Sequence, residues 1–173
     1  MYNLTMRHWT FVTVVTSVLL VFSFGSALAQ EASHSKIGIS TSIQDNQLDL
    51  MFPIWTNDRV VLTPSVGLIY VSDVVTDYAF GIMVRYNIGR STAFPYVGAR
   101  FGTLIRSYEG GGSTNDLFLG PAFGGEYFFS DHFSAGVEGQ VNITLSDEGS
   151  TRFGNPGGTN INTGTSALVT FYF

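Results

Sequence analysis

Four charged residues stand out as groups that could do chemistry: Arg85, Arg100, Glu126 and Glu138. Each interrupts a run of small and apolar residues. Counted from the nearest turn signals, they fall at comparable depth on four consecutive segments. Two guanidinium groups and two carboxylates at one level can gate a narrow passage, or they can form an ion-paired plug that stiffens it. A buried charge is costly unless it meets its opposite, which favours the plug. The count predicts pairing of Arg100 with Glu126 and Glu138, with Arg85 beside them.

His132, Ser134 and Glu138 supply a base, a hydroxyl nucleophile and an orienting carboxylate, the parts of an acyl-transfer site if they stand within hydrogen-bond reach. They share one face, but His132 lies beside the Ser130-Asp131 turn, so the set is read as structural and no catalytic residue is expected. There is no cysteine, which removes thiol catalysis and disulfides. His34 and His132 are too remote from one another for a zinc site, and no metal or cofactor is expected. Asp147, Glu148 and Asn155 match no calcium-loop spacing and read as part of a solvated, flexible loop. Gly110-Gly111-Gly112 lacks the lysine and following helix of a phosphate loop.

A sheet must position these residues. From residue 36 onward apolar residues recur with period two, and turn signals divide the chain into eight segments at about 36–43, 47–55, 59–71, 75–88, 93–108, 115–129, 132–145 and 164–173. One face of every segment is bulky and apolar, as in the row Phe80, Ile82, Val84. The other carries small residues such as Gly81, Gly98, Gly120 and Ser166, with the charges between them. Hydrophobic residues make up 45% of the chain and charged ones 12%. The charged share is about half of what a soluble domain carries, too little for a wholly wetted surface. After the N-terminus no apolar run is long enough for a membrane helix. An alternating apolar belt around a cramped polar interior is what a closed, membrane-spanning antiparallel barrel requires, because closure satisfies every backbone group. Aromatics gather near both ends of the segments, with Trp55, Tyr86, Phe94, Tyr127, Phe129, Phe133 and Phe173 at one and Tyr70, Tyr78 and Tyr108 at the other. They are expected to form two interfacial girdles. Short connections follow the second, fourth and sixth segments, and the longest, 109–114 and 146–163, follow the fifth and seventh. Pro64, Pro95 and Pro121 fall inside segments and are each expected at a bulge or strand end.

Residues 1–29 read as a signal peptide: Arg7 and His8, an apolar stretch from Phe11 to Phe24, then Ser26-Ala27-Leu28-Ala29 with small residues at the cleavage positions. Residues 30–35 are expected as a short tail and 36–173 as the barrel. The net charge of −5 offers no nucleic-acid surface.

The run Gly124-Gly125-Glu126-Tyr127-Phe128-Phe129-Ser130-Asp131-His132-Phe133-Ser134-Ala135-Gly136-Val137-Glu138 resembles the penultimate hairpin of small outer-membrane barrels. The end, Ala167-Leu168-Val169-Thr170-Phe171-Tyr172-Phe173, resembles their final strand. The chain is thus similar to the outer-membrane β-barrel domains of the OmpX and OmpA-barrel kind. That resemblance implies an all-β, eight-stranded antiparallel up-and-down barrel in the bacterial outer membrane. It implies Phe171 and Phe173 as the signal read by the barrel-assembly machinery. Outer-membrane lipids and lipopolysaccharide are the implied surroundings of a monomer. The role it implies is non-enzymatic, in membrane integrity or surface contact through the external loops. A narrow channel for small solutes and a lipid A-modifying enzyme are the alternative functions, and a ten-stranded or soluble lipocalin-like barrel the alternative fold.

Overall fold

The computed structural model describes residues 37–44, 47–71, 75–89, 92–108 and 111–173. The signal-peptide and tail expectations for 1–35, and Lys36, lie outside the described residues, as do parts of the turns at 45–46, 72–74, 90–91 and 109–110.

The strands are β1 (Gly38–Gln44), β2 (Gln47–Met51), β3 (Ile54–Trp55), β4 (Val60–Val71), β5 (Val75–Asn87), β6 (Ala93–Tyr108), β7 (Ser113–Ser130), β8 (Phe133–Leu145) and β9 (Thr159–Tyr172). All pair antiparallel with their neighbours, and β1 also pairs with β9, where Ile39 faces Phe171 and Ile43 faces Ala167. β2 and β3 occupy one line, both against β4. Counting these two as one stave, eight staves close into a barrel with no free edge.

The faces sort as the period demands. Phe80, Ile82 and Val84 point outward and are 47%, 40% and 48% exposed. Ser42, Arg85, Glu126, Glu138 and Gln140 point inward and are buried. No helix among the described residues is long and apolar enough to cross a membrane.

The prolines fit the ladder because each sits where an N–H is not missed. Pro64 stands opposite the break between β2 and β3, where Phe52 still donates its N–H to the Pro64 carbonyl at 2.9 Å. That break falls at Phe52-Pro53, which the second predicted segment ran through. Pro95 lies two residues from the start of β6. Pro121 lies where pairing of β7 with β8 lapses between Leu119–Ile143 and Ala122–Gln140. At that lapse the Val141 carbonyl oxygen closes onto Gly120, and a Cβ there would sit 1.7 Å from it. Overpacking of this kind costs about 1–3 kcal/mol and occasionally more. Gly120→Ala is expected at or above the top of that range in a urea unfolding titration, because the obstacle is backbone and cannot rotate away. A variant as stable as the parent would refute the close approach.

Three expectations are corrected. β9 begins at Thr159, so the last loop spans only 146–158 rather than 146–163. β7 begins at Ser113 rather than at 115, and Gly111 and Gly112, the described glycines of the preceding loop, are in the left-handed region at φ 90° and 98°. Trp55 and Phe94 are buried inside the barrel and belong to no girdle.

Candidate functional site

The lumen holds the chain's polar chemistry in layers. At the end with the short turns, Trp55, Phe94, Phe128 and Tyr172 form an aromatic cluster with Val61. Phe94 and Phe128 meet edge-on at 5.2 Å between ring centroids, and Phe128 stacks on Tyr172 at 5.4 Å. Directly above, Arg85 of β5 reaches Glu126 of β7 at 2.5 Å. Ser134 and the Tyr172 hydroxyl both donate to Glu126 Oε1, at 2.5 and 2.8 Å. Arg85 donates to the Tyr172 hydroxyl at 3.2 Å, and its guanidinium lies 5.0 Å from the centre of the Tyr96 ring. The charges therefore sit in mutual contact, as burial requires.

One layer further from the short turns, the Tyr96 hydroxyl donates to Glu138 Oε2 at 2.8 Å and the Gln140 amide donates to Glu138 Oε1 at 2.8 Å. Gln140 accepts in turn from Arg100 Nη1. The same nitrogen lies 3.5 Å from Asn142 Oδ1, and the guanidinium lies 5.7 Å from the centre of the Phe118 ring. Beyond this layer the lumen opens into a cavity of about 320 Å³.

The loop end is closed by residues 146–158. Arg152 inserts from the loop and reaches Asp77 of β5 at 3.0 Å and Asp116 of β7 at 3.4 Å. Arg106 of β6 grips Asp77 with two bonds of 2.8 Å. Asp116 accepts from the Ser150 hydroxyl and from the Asp147 N–H, at 2.8 and 2.9 Å. Ser150 is only 1% exposed. Burial draws the Arg152 guanidinium below its ordinary value, and the carboxylates of Asp77 and Asp116 pull it back up. The loop is thus pinned to the wall by charge-assisted bonds.

Two solved structures share this architecture. Neisserial surface protein A (NspA) superposes with a TM-score of 0.54 at 18% identity, over 79% of this chain and 93% of NspA. The N-terminal β-barrel domain of Pseudomonas aeruginosa OprF gives 0.54 at 15% identity, over 84% of this chain and all of that domain. This chain has the fold of the small outer-membrane β-barrels. No protein-family model matches its sequence, and no curated protein does.

The sequence-predicted charges of this outer-membrane-type barrel all face the lumen, but their partners differ from the expected ones. Glu126 pairs with Arg85, and Arg100 meets amides in place of Glu126 and Glu138. The ladder explains why. Arg85 lies opposite Gly98 and Gly98 opposite Ala122, four residues along β7 from Glu126. Arg100 lies opposite Gly120, six residues away, and Gln140 comes between it and Glu138. Counting from turns ignores the inclination of strands in a closed barrel, typically about 35–45°.

His132, Ser134 and Glu138 do not meet. His132 Nδ1 lies 3.0 Å from the Tyr172 carbonyl, Ser134 bonds Glu126, and Glu138 bonds Tyr96 and Gln140. Phe171 and Phe173 project outward, 57% and 67% exposed. The sequence reading missed Asp77, Asp116, Arg152, Tyr96 and Tyr172. Strand parity marks Tyr96, Asp116 and Tyr172 as inward-facing. Nothing local marks Arg152, whose partners lie on β5 and β7. The 146–158 loop, expected to be flexible and solvated, is docked.

Proposed function

We propose that this protein is a non-enzymatic integral barrel of the bacterial outer membrane, serving membrane integrity or surface contact through its loops. In this reading residues 1–29 direct export. Phe171 and Phe173 present the terminal signal to the barrel-assembly machinery. The mature barrel stands as a monomer among outer-membrane lipids and lipopolysaccharide, with the 146–158 loop outside.

The observation that carries the reading is the outer surface. On every stave, exposed apolar side chains alternate with buried lumen residues, and the ladder closes at β1–β9. In water such a belt far exceeds a tolerable patch, whereas acyl chains require it. The experiment is fractionation followed by unheated and heated gels. The protein is expected in the outer-membrane fraction with heat-modifiable migration, and recovery in a soluble fraction would overturn the reading. Ile82→Arg places a cation in the middle of the belt, which costs about 2–4 kcal/mol at the bilayer midplane. Unfolding from lipid vesicles is expected to report that loss.

Two features support closure to solutes: the aromatic cluster at the short-turn end and the Arg85–Glu126 layer on it. Planar-bilayer recordings are expected to show no conductance step above leak. Support for a non-enzymatic reading comes from Ser134, which is fully buried and bonded to Glu126. Ser134→Ala is therefore expected to leave lipid A acyl composition unchanged.

A further inference from the structure

Between the Arg100 layer and the docked loop the lumen holds a cavity. At about 320 Å³ it sits at the small end of ligand pockets, which run from roughly 300 to 1,000 Å³. Its walls carry the amides of Gln140, Asn142 and Asn162 and the hydroxyl of Thr144, with the rings of Phe118 and Phe153 and aliphatic side chains between them. Dense amide and hydroxyl donors beside aromatic faces suit a compact ligand with many hydroxyls.

Arg100 sets the charge. It lines the cavity, and no carboxylate among the described residues forms an ion pair with it. Both of its hydrogen bonds leave from Nη1. Among the described residues Nε and Nη2 have no hydrogen-bond partner, and together they form a planar fork, the geometry that holds a carboxylate with two parallel bonds. One guanidinium fork holds one carboxylate, and Arg100 is the only cationic residue among those lining the cavity, so further negative charges on a ligand would find no partner there. The charges at the mouth are engaged with one another, Arg106 and Arg152 with Asp77 and Asp116, and add no free cation. Phe153 belongs both to the docked loop and to the cavity wall, so the loop is the lid of this chamber.

We propose that the cavity binds a small, hydroxyl-rich monoanion of the size of a hexuronic acid, with Arg100 clamping its carboxylate and the 146–158 loop closing over it. The ligand enters from the loop end, since the aromatic cluster fills the other.

The test is titration of the protein, folded in a zwitterionic detergent without a sugar headgroup, with sodium D-glucuronate. Backbone amide NMR shifts are the readout, with D-glucose and citrate as controls. Saturable shifts confined to residues of the cavity wall are expected, with glucose and citrate at least tenfold weaker. Arg100→Gln is expected to weaken glucuronate at least tenfold while keeping heat-modifiable migration and a dispersed spectrum. Arg152→Ala, which frees the lid, serves as the second variant and is expected to bind glucuronate with faster exchange. The proposal is overturned if neither the parent nor Arg152→Ala gives saturable shifts. It is equally overturned if Arg100→Gln binds undiminished, if glucose or citrate matches glucuronate, or if the shifts lie outside the cavity.

Discussion

Glu126→Ala is expected to destabilise the barrel by about 3–5 kcal/mol, the usual cost of removing one partner from a buried ion pair. Three groups lose their acceptor at once: Arg85, Ser134 and the Tyr172 hydroxyl all converge on this carboxylate. All three are buried, so water cannot replace it. Urea unfolding from phospholipid vesicles measures the loss. Combining Arg85→Met with Glu126→Leu is expected to recover most of it, because an apolar pair of similar volume avoids desolvating two charges. A single variant within about 1 kcal/mol of the parent would mean that the network contributes filling volume alone.

Phe128→Ala is expected to cost a comparable 3–5 kcal/mol, the range for truncating a buried phenyl group. Phe128 touches Trp55, Phe94 and Tyr172, at centroid distances of 6.5, 5.2 and 5.4 Å. Removing it leaves a hole in the middle of the cluster, and the surrounding rings are on separate staves that the ladder holds apart. The same unfolding assay reads the effect. Phe129→Ala is the control: Phe129 is the next residue, points outward and is 45% exposed, so its loss should cost clearly less. Equal costs for the two would contradict the inward assignment of Phe128.

The outer face of this fold was legible because the outside and the lumen of a closed barrel impose opposite demands on alternate residues, and Phe80, Ile82 and Val84 carry that alternation openly. The interior was legible only in part. Trp55 follows outward Ile54 and so must face inward. Its bulk and position near a strand end nevertheless resemble a girdle residue, and the same conflict misplaced Phe94. The charged residues were found because Arg and Glu are rare on these strands. Their pairing was not, because the partners are set by the relative stagger of staves, a property of the closed sheet and not of any one segment. The lid was illegible for a related reason. Ser146–Gly158 has the composition of a mobile loop, and what fixes it is Arg152, the Ser150 hydroxyl and the Asp147 N–H meeting Asp77 and Asp116, far away in sequence.

The seam between β1 and β9 has a kinetic consequence. Ser40 donates to the Val169 carbonyl across 129 residues of chain, while all other neighbouring staves are joined by local hairpins. Contacts of such high order form slowly, because the entropy of bringing the ends together is lost before any bond rewards it. Until then two rows of amide and carbonyl groups lack partners, a state that hydrocarbon penalises heavily. Zipping of the first and last staves is therefore expected to be the slow, late step of folding.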